Sequence, residues 1–163
     1  PINSEKRKST LVLLNVILNS LLRWFAPILS FTTEEIYQLI SKNKKSIHLE
    51  NFLNFPEKFN NSKLNSKWEQ LIKIRDICNL SIEQKRASKD IGSSLEAALI
   101  VKLNSENQKF LKNIDLSELC ITSSVKIENS DTNEVIAETM KAMGEKCPVC
   151  WKISITPCER HKL

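Results

Sequence analysis

Apolar residues recur at helical spacing over residues 5–25, where Leu11, Leu14, Leu18, Leu21, Leu22 and Phe25 form a wide stripe expected to be buried. Pro27 ends that helix. Thr32 followed by Glu35 has the pattern of a capping box, with Phe31 and Ile36 at the staple positions, so a second helix is expected from Thr32 to about Ile40. Residues 47–61 carry Pro56 and several asparagines without a period, and read as an extended connection. A long third helix is expected from about residues 62–66 to Lys89. Trp68, Leu71, Ile74, Ile77, Cys78 and Ile82 form its apolar side, Glu69 and Lys73 pair on the other, and Gly92 is its stop.

The period then changes. Ala97–Leu103 reads as a strand. Ser105 with Gln108 suggests a second capping box, opening a short helix to about Asn113. Residues 119–128 read as another strand, 129–133 as a turn, and 135–143 fit a strand or a short helix equally well. The expected fold is therefore mainly α: a helical bundle over residues 1–92, a small α/β unit over 93–143, and a short metal-binding knuckle over 144–163. Gly92 and Gly144, the chain's two glycines, mark the boundaries.

Composition narrows the function classes. Of 163 residues, 41% are hydrophobic and 26% charged, as in an ordinary globular protein. The net charge of +5 favours an anionic partner, RNA or a membrane surface, although a chain rich in Lys, Asn and Ile reaches the same excess by coding bias. Lys6, Arg7 and Lys8 before the Leu11–Leu14 run imitate a signal peptide. Asn15, Asn19, Ser20 and Arg23 interrupt that run, and Pro27 follows Ala26 at the only place for cleavage. Arg23 alone would cost about 2.5–3.5 kcal/mol near a bilayer centre. Neither export nor insertion is expected, and a cytoplasmic location is. No Ser/His/Asp set and no phosphate-cradling glycine loop is present, so no catalytic centre is expected in this chain.

Three of the five cysteines stand in the tail, as Cys147-Pro148-Val149-Cys150 and then Cys158-Glu159-Arg160-His161. Two Cys/His pairs joined by a short loop can close a tetrahedral zinc site of three thiolates and one imidazole. With Cys147, Cys150, Cys158 and His161 as ligands no position is open to water, so one Zn²⁺ would be structural. Lys146, Lys152, Arg160 and Lys162 would offset its net negative charge. The alternatives are a redox Cys-x-x-Cys pair, which no βαβ pattern flanks, and adventitious cysteines. His48 is a distant substitute for the fourth ligand. A knuckle of this size buries no core of its own, so the metal would provide most of its folding free energy. Trp151 either packs over the knuckle or stacks on a base. Cys78 and Cys120 lie in apolar segments and read as small buried hydrophobes.

The chain carries LRWFAPILSFTTEEIY from Leu22 to Tyr37, SIHLENF from Ser46 to Phe52, Trp68-Glu69, Arg75, Glu83, Arg86, Lys89-Asp90-Ile91-Gly92, Ser94-Leu95-Glu96-Ala97, and GEKCPVCW from Gly144 to Trp151. Together these stretches resemble the C-terminal region of bacterial isoleucyl-tRNA synthetases. The first stretch alone also fits valyl, leucyl and methionyl relatives; the terminal Cys-x-x-Cys-Trp selects isoleucyl. In that family the second ligand pair is usually another Cys-x-x-Cys after a longer loop, where this chain has seven residues and His161. No HIGH or KMSKS signature is present. The resemblance implies an anticodon-binding domain with a zinc tail, recognising the anticodon stem-loop of tRNA(Ile) as a monomer joined to the rest of the synthetase chain, with ATP and isoleucine chemistry confined to the parent enzyme. By family position the RNA-contacting candidates are Arg75, Arg86, Lys89, Trp151, Lys152 and Arg160. Arg86 and Lys89, on one side of the third helix, either contact RNA or fix its exit. The competing expectation is a zinc-stabilised helical protein-interaction domain without RNA specificity.

Overall fold

The computed structural model describes residues 4–41, 45–158 and 161. The chain divides into two compact units, Pro1–Asn60 and Asn61–Leu163.

In the first unit, helix α1 spans Glu5–Phe25, with the Ser4 side chain accepting the Arg7 amide at its start. The amides of Ile28 and Leu29 both donate to the Phe25 carbonyl, at 2.9 and 2.7 Å, closing a tight turn through Pro27. Helix α2 then spans Ser30–Ile40, two residues earlier than the capping-box reading placed it. The Thr33 amide and hydroxyl both donate to the Leu29 carbonyl, each at 2.9 Å, so Thr32 already lies inside the first turn. The turn off α1 delivers the chain in helical conformation at Ser30. No side-chain cap forms, and Phe31 is 92% exposed instead of stapled.

Glu34, not Glu35, is the carboxylate that works here. It accepts Gln38 Nε2, Ser46 Oγ and the Ile47 amide, at 2.8, 2.9 and 2.8 Å, and so fixes a 3₁₀ turn at Ile47–Leu49 against α2. Arg23 donates to the Asn51 and Asn19 carbonyls, pairs with Glu50 at 3.2 Å and lies over the Tyr37 ring. Leu22, Ala26, Tyr37 and Ile47 form this unit's core. Of the stripe expected to be buried on α1, only Leu22 is; Leu11, Leu14, Leu18, Leu21 and Phe25 stay exposed, because α2 and the 3₁₀ turn cover one end of the helix only.

The second unit opens with α3, Ser62–Ala87, capped by Asn61, whose side chain accepts the Leu64 amide. Its apolar positions Leu71, Ile74, Cys78 and Ile82 are buried as the spacing requires, while Trp68 and Ile77 remain partly exposed. The helix ends at Ala87, and its left-handed stop is Lys89, not Gly92. Lys89 sits at φ 62°, its amide donates to Arg86 O, and Asp90 N–H donates to Lys85 O, which together make a Schellman stop. The Gly92 amide instead meets the Glu96 carboxylate at 2.9 Å.

Strand β1, Ala97–Leu103, follows as expected and is the centre of the sheet. Helix α4 (Ser105–Phe110) is capped by Asn104 rather than Ser105, and Gln108 reaches back to the Leu103 carbonyl. Leu119, expected to open a strand, instead closes a short helix α5 (Leu116–Leu119), since Asp115 accepts the Ser117 and Glu118 amides and caps it. Strand β2 (Ser124–Asn129) therefore starts late and runs parallel to β1. Strand β3 (Ile136–Lys141) settles the open alternative and pairs antiparallel on the other side of β1.

The inward residues of β1, Ala97, Leu99, Val101 and Leu103, share one core with the buried side of α3 and with Ile91, Leu111, Leu116 and Cys120. Cys78 and Cys120 are both buried there. A hydrogen bond of 2.7 Å between Ser81 and Thr139 ties α3 to β3. The third helix, which the sequence reading grouped with the helices before it, thus packs with the sheet. No helix among the described residues is long and apolar enough to cross a membrane.

Candidate metal centre and basic surface

Past β3 the chain makes a small hairpin, β4 (Glu145–Lys146) against β5 (Ile153–Ser154), with the Cys147–Cys150 turn at its tip. Gly144 makes the hairpin possible. It has φ 119°, and a Cβ there would lie 2.1 Å from the Ser154 carbonyl oxygen. The Trp151 amide donates to the Cys147 carbonyl at 2.9 Å, and the Cys147 amide to Lys152 O at 2.9 Å, which folds the first ligand pair into a knuckle. Trp151 stands at φ 64°, a left-handed position unusual for so large a side chain.

The hairpin is moored to the sheet by Ser123, a residue with no ligand chemistry to flag it in the sequence. Its hydroxyl accepts the Ile153 amide at 2.6 Å and donates to the Leu95 carbonyl. Lys152 Nζ adds a second tie, donating to Ser117 Oγ of α5 at 3.3 Å.

The four expected ligands converge. The ligand atoms of Cys147, Cys150, Cys158 and His161 all lie within 4.8 Å of one another. For tetrahedral coordination with metal–sulfur bonds of about 2.3 Å and metal–nitrogen bonds of about 2.0–2.1 Å, sulfur–sulfur edges should be about 3.8 Å and sulfur–nitrogen edges about 3.6 Å. Cys150 Sγ and Cys158 Sγ are 3.7 Å apart, and His161 Nδ1 is 3.8 Å from Cys147 Sγ and 3.5 Å from Cys158 Sγ. The donor set and its spacing can hold a metal ion. Electrostatics agree at the first thiol: the backbone amides of Cys150 and Val149, directed at Cys147, hold it down at about 6. At Cys150 the Lys152 amide pulls the thiol down, but desolvation and the adjoining Cys147 and Cys158 sulfurs together raise it above its ordinary value. A metal held by these residues would remove that conflict, taking all three as thiolates. His48, the substitute fourth ligand, lies in the other unit and is not part of the cluster.

The basic candidates are placed less uniformly. Arg75 Nε donates to the Leu119 carbonyl at 3.0 Å, anchoring α5 to α3. Arg86 is exposed and paired with Glu83 at 2.8 Å, both ends in solvent. Lys89 projects from the exposed Schellman turn. Trp151 is 59% exposed, with the Lys146 ammonium 5.6 Å from its ring centroid. Arg160 lies outside the described residues.

A family profile described as the anticodon-binding domain of tRNA ligase matches residues 2–102. The chain is also similar to curated relatives named isoleucine–tRNA ligase. That of Pelagibacter ubique (strain HTCC1062) is 62% identical over 159 residues, 98% of this chain and 18% of the relative. That of Bradyrhizobium diazoefficiens is 36% identical over 168 residues, 96% of this chain and 17% of the relative. That of Methylacidiphilum infernorum is 38% identical over 153 residues, 94% and 16% respectively. The chain spans less than a fifth of the length of these relatives.

Proposed function

The chain belongs to the family of anticodon-binding domains of tRNA ligases, and from that premise we propose that it recognises the anticodon stem-loop of tRNA(Ile) as part of a cytoplasmic isoleucine–tRNA ligase. The observation that carries this reading is the 62% identity, over 98% of the chain, with a relative named for that activity. Isoleucine activation and ATP belong to the remainder of such an enzyme; no residue of this chain is assigned to them.

We assign zinc to the Cys147, Cys150, Cys158 and His161 set, because three thiolates and an imidazole at tetrahedral spacing suit it best. When bound, it would close the knuckle and present no open position. This chain's own residues do the recognition. Arg86 and Lys89, exposed at the exit of α3, would neutralise phosphates. The exposed Arg86–Glu83 pair is worth about 0–1 kcal/mol and yields readily to a phosphate. Trp151 offers an exposed ring face for a splayed loop base. Arg75 and Lys152 act through position: one holds α5, the other holds the knuckle to α5. Arg160 is retained as a phosphate contact from the sequence alone.

The test is a gel-shift of the zinc-loaded chain with tRNA(Ile) and with an unrelated tRNA, across a salt series. A preference for tRNA(Ile) is expected, with log affinity falling by about 0.7–0.9 per log unit of salt for each phosphate contact. Equal affinity for both RNAs would overturn the recognition claim, and affinity flat in salt would remove the assigned lysine and arginine contacts.

A further inference from the structure

We propose that His161 closes the metal site through Nδ1, the ring nitrogen beside the backbone, so that Nε2 carries the proton and faces away from the ion. This rests on the zinc reading above and refines it to a single atom.

Nδ1 makes the close approaches to two sulfurs, 3.8 Å to Cys147 and 3.5 Å to Cys158, and both match the edge of a tetrahedron built from sulfur and nitrogen. The local chain explains the choice. Cys158 and His161 stand three residues apart, and the His161 amide donates to the Cys158 carbonyl at 3.2 Å. A ligand tied back this closely to its partner needs only a short reach, as the thiols of Cys147 and Cys150 have in the first knuckle. Nδ1 is attached to the same ring carbon as Cβ, and it puts a donor atom about where a cysteine sulfur would reach. Nε2 lies across the ring and would overshoot an ion held by the three sulfurs. With its Nδ1 lone pair given to the metal, the neutral imidazole keeps its proton on Nε2. The two ring nitrogens diverge, so this N–H points out of the cluster. It leaves a fixed hydrogen-bond donor beside the groove that His161 lines together with Lys146, Ser154 and Thr156.

The deciding experiment uses the full chain with isotope-labelled histidine, reconstituted with cadmium as a spin-active substitute for zinc and first checked for one bound metal by native mass spectrometry. Long-range proton–nitrogen spectra should place the His161 proton on Nε2, with scalar coupling of cadmium to Nδ1. A proton on Nδ1 with coupling to Nε2 overturns the assignment while leaving the metal site standing. One metal bound with no coupling to either nitrogen overturns it as well, leaving a three-cysteine site. No metal bound at all sinks the zinc reading along with it. An independent check is H161C in the cobalt-substituted protein. The thiolate-to-cobalt absorption should rise by about one third, as three sulfur ligands become four. Unchanged absorption would mean that a short side chain at this position cannot reach the ion, which excludes Nδ1.

Discussion

Two backbone positions, neither announced by side-chain chemistry, shape the cysteine hairpin and the exit of α3. At Gly144 an added methyl group would collide with the Ser154 carbonyl at 2.1 Å, in a backbone conformation that L-residues rarely adopt. Gly144→Ala should therefore cost about 2 kcal/mol or more of local stability. Faster hydrogen exchange at the Cys147 and Ile153 amides, which donate to Lys152 O and Ser123 Oγ, together with weaker metal binding, would show it. The sequence made Gly144 legible as a boundary, since it stands where the strand pattern gives way to the cysteines, but the close approach of β5 depends on a pairing no local pattern encodes. Lys89 is the opposite case. A residue other than glycine in the left-handed Schellman position carries strain of about 1–2 kcal/mol. Lys89→Gly should raise the melting temperature, by about 1 kcal/mol of stability, and yet lower affinity for tRNA(Ile) if the ammonium contacts a phosphate. A variant that is stabilised with RNA affinity unchanged would mark Lys89 as a helix stop alone.

Among the elements, the best-read ones were those whose period is set by a core. The apolar spacing of α3 and the alternation of β1 both survive in the fold, because Leu71, Ile74, Cys78 and Ile82 face Leu99, Val101 and Leu103 across one cluster. Helix starts were read less well. Thr32–Glu35 and Ser105–Gln108 have the letters of a capping box, but neighbouring carbonyls and Asn104 satisfy the orphan amides first. The convergence of the four Cys and His side chains was legible, since each pair is closely spaced in the sequence; the Ser123 mooring was not, being a contact between distant segments.

Glu34 shows the same limit and makes a test at this scale. Its hydrogen bond from Gln38, followed by those from the Ile47 amide and Ser46, holds its carboxyl below the usual carboxylate range. A depressed folded value means that the stabilisation is present above the unfolded value, about 4.3, and is lost as pH falls through the folded one. Acidification through that window should loosen the 3₁₀ turn at Ile47–Leu49, seen as a shift of the Ile47 amide resonance. Glu34→Gln should be less stable at neutral pH and should lose that pH dependence.

For the whole molecule, the two compact units have unequal means of support, and this predicts how the protein comes apart. The first unit has a core of Leu22, Ala26, Tyr37 and Ile47 and leaves most of the apolar side of α1 in solvent. So small a core supplies only marginal stability. The second has a far larger core that includes the buried Cys78 and Cys120 and the central strand. The knuckle is tied to it through Ser123 and Lys152 and buries little core of its own, so its order should depend on the ion. Chelation should accordingly release protection at β4, β5 and the Trp151 amide while α3 and β1 keep theirs, and α1 should exchange faster than α3 whether or not metal is present. Hydrogen exchange read by mass spectrometry, with and without chelator, resolves these segments in one experiment. If α3 and β1 lost protection together with the knuckle, the ion would be supporting the whole second unit, and the core described here would be insufficient without it. That outcome would also change the meaning of the RNA test. Weak binding by metal-free protein would then report an unfolded helix α3 rather than a missing Trp151 platform, and only Trp151→Ala in the metal-loaded chain would separate the two.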